Sequence, residues 1–193
     1  MEDIIVGADG RPRCGWAGAT EIYLAYHDDE WGVPQHDDVR LFEKLCLEAF
    51  QSGLSWLTIL RKRPAFRSAF AGFDPELVAR FDDADVRRLM ADTGIVRNRL
   101  KVDAAIKNAA AVLALRDAGG LDELVWSHAP EHHDPPRTTA DFRATSPESV
   151  ALAKTLKKAG FVFVGPTTMY AAMQACGLVD DHLAGCHRAG GAR

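Results

Sequence analysis

Along residues 39–50 the apolar positions Val39, Leu41, Phe42, Leu45, Cys46, Ala49 and Phe50 recur mostly at spacings of three and four. That is the pattern of a helix with one face turned to a core. Asp37 or Asp38 supplies its N-cap and Gly53 its stop. The same grammar continues downstream. A short helix is predicted over 55–63, with Pro64 starting another. Asp74-Pro75 opens a short helix, and Asp82 or Asp83 caps the next, which ends near Thr93-Gly94. An alanine-rich helix follows over 97–118, then a further turn or two over 121–126. Residues 128–147, rich in Pro, His, Asp and Thr, read as a loop. Ser146-Pro147-Glu148 starts a helix that reaches Ala159, with Gly160 at its end. The stretch "FVFVG" passes for a strand by composition, and 166–178 returns to helix. The pattern predicts an all-α fold, its helices packed as one unit or two lobes and taken as a single unit over 1–193.

Composition adds an address. Apolar residues make up 47% and charged residues 26%, as in soluble globular proteins. No apolar run reaches the roughly 18 residues of a membrane span, and the N-terminus lacks a signal pattern. The expectation is a cytoplasmic protein with no membrane partner. A net charge of −4 argues weakly against nucleic acid. The distribution says more than the sum. Basic residues cluster at Arg61-Lys62-Arg63 with Arg67, over 97–101, and at Lys154, Lys157 and Lys158, while acids gather elsewhere. Such segregation permits one basic face on an acidic protein, although a solvated helix face is the plainer reading of any single cluster.

Four cysteines without an export signal favour metal over disulfides. Cys14 and His27 lie near one end, and His182 and Cys186, spaced one helical turn apart, near the other. Two thiolates and two imidazoles would fill a tetrahedral zinc site and leave no position for water. Spacing alone leaves His36, His132, His133 and His187 as rival ligands, whereas Cys46 and Cys176 read as core residues.

Residues 83–118 read as helix, tight turn and helix, with Gly94-Ile95-Val96 at the break and Arg97, Arg99 and Lys101 beside it. Such a hairpin can offer backbone N–H groups and a helix N-terminus to a phosphate. An ordinary αα-hairpin is the plainer alternative. Glu48 falls at the border of the apolar stripe, where an exposed ion pair with Lys44 at i,i+4 is the simplest expectation.

Taken together, "RCGW", "YLAYHDDEWGVP", "LFEKLCLEAFQSGLSW", "GIVRNRLKV" and "FVFVGPTTMYAAMQACGLVDDH" resemble the bacterial 3-methyladenine DNA glycosylase I family, in order and from Cys14 to Cys186. The resemblance implies a helix-hairpin-helix glycosylase fold that excises 3-methyladenine from double-stranded alkylated DNA and releases the free base. It implies a structural zinc, one per chain, on Cys14, His27, His182 and Cys186. Glu48 and Tyr26 would act on the base in a pocket lined by Trp16, Tyr23, Trp31 and Trp56. Gly53 and Leu54 would enter the gap left in the DNA, and Gly94, Val96, Arg97 and Lys101 would meet its backbone. A monomer is expected. The hairpin lacks the second glycine common in the wider fold, and Ala49-Phe50 replaces a glycine-containing step of several relatives. Two rivals stand beside this reading: a zinc-stabilised DNA-binding module without catalysis, and a zinc hydrolase with an open metal position.

Overall fold

The computed structural model describes residues 2–190. Two short strands, β1 (Ile4–Val6) and β2 (Pro12–Cys14), pair antiparallel with Ile4 opposite Cys14. Helices α1 (Glu21–Asp29), α2 (Asp38–Gln51), α3 (Trp56–Ala69), α4 (Pro75–Val78) and α5 (Asp83–Ala91) follow. Then come α6 (Arg99–Ala114), α7 (Gly120–Trp126), α8 (Pro147–Lys158) and α9 (Pro166–Ala175). The chain is mostly helical, and the β1–β2 hairpin corrects the all-α expectation. None of the helices among the described residues is long and apolar enough to cross a membrane.

Capping chemistry explains most of the boundaries. Asp37 accepts the Arg40 N–H at 2.9 Å and starts α2. Asp82 and Asp85 satisfy each other's backbone at the start of α5, and Ser146 and Ser149 do so for α8. Asn98 caps α6, which therefore begins two residues later than expected and closes at Ala114, with a separate 3-10 turn over Arg116–Ala118. Pro64 corrects a second expectation, because α3 runs straight through it. The lost hydrogen bond is outweighed by Ile59, Leu60, Phe66 and Ala69, whose buried face needs one continuous helix.

Helix α2 is central and packs against α3, α6, α7 and α9. Its Leu41, Phe42, Leu45, Cys46 and Phe50 join Phe66, Phe70, Leu89, Val102, Leu156 and Met169 in the main core. "FVFVG" is not a strand. Phe161 enters the core, while Asn108 of α6 takes both backbone groups of Val162, at 3.0 and 2.8 Å. That single side chain supplies the pairing a neighbouring strand would have given. Phe163 beyond it stays 41% exposed at φ +58°.

Candidate functional site

Glu48 sits in the last turns of α2 and is only 5% exposed. The structure overturns the expected exposed pair with Lys44. The Lys44 ammonium lies 3.5 Å from Glu30 and 4.9 Å from the centre of the Tyr26 ring. No hydrogen bond reaches the Glu48 carboxyl among the described residues, and burial pushes its pKa up to about 8 against the opposing pull of Lys44. A buried acid without a partner is costly, which makes it a candidate for ligand work. It lines a cavity of about 360 Å³ with Gln51, Ser52, Gly53 and Leu54 on one wall and Thr167, Thr168 and Ala171 of α9 on the other.

Tyr26 is buried beside it, its hydroxyl pushed up by burial first and by the Glu48 charge second. Tyr26 and Trp31 form a cluster with Leu60 and Ala175, edged by Trp16, Tyr23 and Trp56. Trp56 lies 5.5 Å from Tyr26, and Trp16 meets Tyr23 and Trp31 edge-on at 5.7 and 5.1 Å. The indole N–H of Trp56 is buried without an acceptor among the described residues. The structure thus brings all five expected aromatics into one cluster, and Glu48 acts on its Tyr26. Together they offer one ionisable carboxyl and several electron-rich faces, which suits a flat cation.

The turn after α2 explains Gly53, whose φ of +82° favours glycine. Leu54 follows at 42% exposure beside a polar cavity mouth. Gln51, Ser52, Thr167, Thr168 and Ala171 were missed by sequence reasoning. For the threonines the only cue was their place in the first turn of α9, behind Gly165-Pro166.

Between α5 and α6 the Gly94 N–H donates to the Asp92 carboxylate at 2.7 Å, and Lys62 donates to the carbonyls of Thr93 and Gly94. Gly94 is not in a left-handed conformation. A Cβ there would lie 2.9 Å from the Asp92 carboxylate and 3.0 Å from Ala65 Cβ, so close approach explains the glycine. Val96 is half-buried, and Arg97 is exposed with no ion pair among the described residues, whereas Arg99 pairs with Asp103 at 2.8 Å. Lys101 corrects the expectation of a phosphate contact. It is 7% exposed, and its ammonium donates to the carbonyls of Phe50 at 2.9 Å and Ser52 at 2.6 Å. The C-terminal end of α2 carries unsatisfied carbonyls and partial negative charge, which hold the ammonium there.

At the other side of the aromatic cluster, Cys14, His27, His182 and Cys186 converge, all buried, with ligand atoms within 4.8 Å of one another. His27 Nε2 lies 3.3 Å from Cys186 Sγ, and His182 Nδ1 lies 3.8 and 3.7 Å from the two sulfurs. Tetrahedral bonds of metal to sulfur and nitrogen place such atoms roughly 3.5 Å apart, so the donor set fits one ion. The outer ring nitrogens are also engaged. His27 Nδ1 meets Asp28 at 2.8 Å and His182 Nε2 meets the Trp31 carbonyl at 3.1 Å, the arrangement that orients imidazole ligands. Cys186 is held far below the ordinary thiol range, first by the hydrogen bond with Cys14 and then by the imidazoles, while Cys14 is pushed up. The expected helical turn from His182 to Cys186 is instead an irregular turn closed by Cys186 N–H to Leu183 O at 2.7 Å. Of the rivals, His36 pairs with Asp122, His132 with Asp134 and His133 with Asp181. His187 meets Asp28, forming a second group with His27, but Asp28 already binds Arg13. Cys46 and Cys176 lie in the main core.

A mainly helical chain that sets a buried carboxyl among aromatic faces and an adjoining cavity is built to hold a small planar ligand. Residues 16–189 match the methyladenine glycosylase family, and the chain belongs to it. It is 49% identical to DNA-3-methyladenine glycosylase 1 of Escherichia coli strain K12 over 179 residues, covering 90% of this chain and 95% of that one. It is 47% identical to the DNA-3-methyladenine glycosylase of Haemophilus influenzae over 181 residues, covering 90% and 96%. Among solved structures, 3-methyladenine DNA glycosylase I from Staphylococcus aureus, described for its recognition of 3-methyladenine, superposes with a TM-score of 0.88. That pair is 35% identical and covers 94% of this chain and 98% of the other.

Proposed function

We propose that this chain is a base-excision repair enzyme that extrudes 3-methyladenine from double-stranded DNA and hydrolyses its N-glycosidic bond, leaving an abasic site. The observation that carries the reading is the unpartnered Glu48 carboxyl, buried beside Tyr26 and open to the cavity. Methylation at N3 makes the base cationic and a ready leaving group. The glycosidic bond breaks with its electron pair passing to the base, and water then adds to the sugar carbon and gives up a proton to solvent. A carboxylate and aromatic faces favour that cation over neutral adenine without a strong catalytic acid. Asp122 and Asp141 are engaged elsewhere, with His36 and with the backbone of Arg137 and Thr138, and neither lines the cavity.

In this reading α5, its turn and α6 are the helix-hairpin-helix element, Leu54 fills the space vacated by the base, and Arg97 holds phosphate. Cys14, His27, His182 and Cys186 hold a structural zinc that joins the chain's two ends. The ion supplies rigidity, since four protein ligands close its shell to water. The protein works as a cytoplasmic monomer.

Incubating the purified protein with alkylated duplex DNA and identifying the released bases by chromatography tests this. Release of 3-methyladenine is expected. Tight binding without release would favour the DNA-binding module instead. Arg97→Ala should weaken DNA binding about equally across sequences and lower the slope of affinity against salt by about one. An unchanged slope, measured by fluorescence anisotropy over a salt series, would return the hairpin to a structural role.

A further inference from the structure

Two buried polar side chains on α6 bond to backbone close to the two cavity walls. Lys101 and Asn108 are seven residues apart, so they share a helix face and stand roughly 10 Å apart along the axis. Lys101 binds the carbonyls of Phe50 and Ser52 at the end of α2, immediately before Gly53 and Leu54. Asn108 binds the carbonyl and N–H of Val162, in the turn that leads into Pro166, Thr167 and Thr168. The first clamp therefore grips the turn that carries Ser52, Gly53 and Leu54, beyond Glu48 on the helix, and the second grips the turn that leads to Thr167, Thr168 and Ala171. Helix α6 itself starts at the Asn98 cap, one residue after Arg97.

We propose that Lys101 and Asn108 are positioning residues, and that α6 is the spacer that sets the separation of the cavity walls and ties it to the seating of the hairpin on DNA. The proposal rests on the glycosylase reading above. Both clamped segments are irregular: Gly53 sits at φ +82°, Gly160 at +95° and Phe163 at +58°. Turns of this kind keep their place through tertiary bonds rather than through a helical or sheet ladder of their own. Both clamps grip backbone atoms, so they specify where the chain runs rather than which side chains it carries. Removing either takes away the side-chain partners of these backbone groups and frees its turn to shift. A displacement of 1 Å at a reacting centre costs on the order of 100-fold in rate.

The test measures Lys101→Met and Asn108→Leu, singly and together, in single-turnover excision from a duplex bearing 3-methyladenine. Affinities for free 3-methyladenine and for undamaged duplex are measured beside it. Each single variant should excise roughly 10- to 100-fold more slowly. Both affinities should stay within about threefold, because Glu48, the aromatic cluster and Arg97 keep their own supports. The double variant should lose less than the product of the singles, since one released wall already abolishes the set spacing. Lys101→Arg, which can donate to both carbonyls, should return the rate to within about fivefold of wild type. Should Lys101→Met or Asn108→Leu not fold, Asn108→Asp, which keeps the acceptor for Val162 N–H and loses the donor, carries the same expectation. Wild-type excision rates in the folded variants would overturn the proposal. So would a loss of free-base affinity in proportion to the rate, or no rescue by arginine. Absence of excision by the wild type would instead sink the glycosylase reading, and the clamps with it.

Discussion

Protein carrying Cys14→Ala is expected to contain no stoichiometric zinc and to melt roughly 8–20 °C below the wild type. The expectation follows from what the four donors join. Cys14 ends the β1–β2 hairpin, His27 belongs to α1, and His182 and Cys186 lie in the irregular turn near the other end of the chain. Little regular structure connects these pieces, and among the described residues their small apolar cluster is Cys14, Leu183 and Cys186 with a few half-buried neighbours. An ion on all four therefore contributes folding free energy directly. Losing a structural metal belongs with the few single changes that cost about 4–5 kcal/mol. In a domain of this size each kcal/mol moves the midpoint by about 2–4 °C. The change should also reach the aromatics, because Trp31 packs 4.6 Å from the His182 ring and Trp16 5.2 Å from His27. Loosening there should lower base affinity only modestly, as Glu48 stands on α2 in the separate main core. Calorimetry with metal analysis on chelator-free protein decides it. Zinc-free wild type, or a variant with unchanged melting, would remove the metal from the account.

The legible and the hidden parts of this molecule differ in range. Helix α2 was readable because its stripe and its Asp37 cap are local, and the helices on either side of Gly94 were readable for the same reason. Helix α1 was not, because its Tyr23, Tyr26 and His27 face an aromatic cluster and a polar cluster rather than one apolar core, so no stripe marks it. The three-residue strands are too short for alternation to register. At the site, the two Cys and two His near the chain's ends do converge, as their scarcity suggested. Residue types misled where a plausible local partner existed. Lys44 stood four residues from Glu48, yet Glu30 and the Tyr26 ring, brought by α1, hold it instead. Lys101 looked like a surface charge at a helix start, and its carbonyl partners lie about 50 residues away in sequence. The i,i+4 spacing of His182 and Cys186 suggested a helix, but a turn delivers both side chains to one point.

Glu48→Gln should excise 3-methyladenine at least tenfold to a hundredfold more slowly, bind the free base less tightly, and grip undamaged DNA as before. The amide keeps the shape of the carboxylate but not its charge, and it places an N–H where the adenine edge already donates. Losing a hydrogen bond to a charged group costs about 1.5–3 kcal/mol, which is that range of rates. The same burial sets two pH signatures. With the native carboxyl at about 8 and the unfolded one near 4.5, the native state resists ionisation that the unfolded chain undergoes. Stability is therefore lost as pH rises from about 4.5 to about 8, by up to about 1.4 kcal/mol per unit. The glutamine variant, with nothing to ionise, should match the wild type near pH 4.5 and become the more stable protein toward pH 8. Activity should run the opposite way. The cation is favoured by the carboxylate form, so wild-type kcat/KM should climb with pH through about 8 and level off only above it, while the variant's profile stays low and flat. Denaturant melts and single-lesion kinetics at matched pH values read both trends. A wild-type profile that is flat from pH 6 to 8, or a variant that excises at the wild-type rate, would show that the Glu48 charge is not what selects the base.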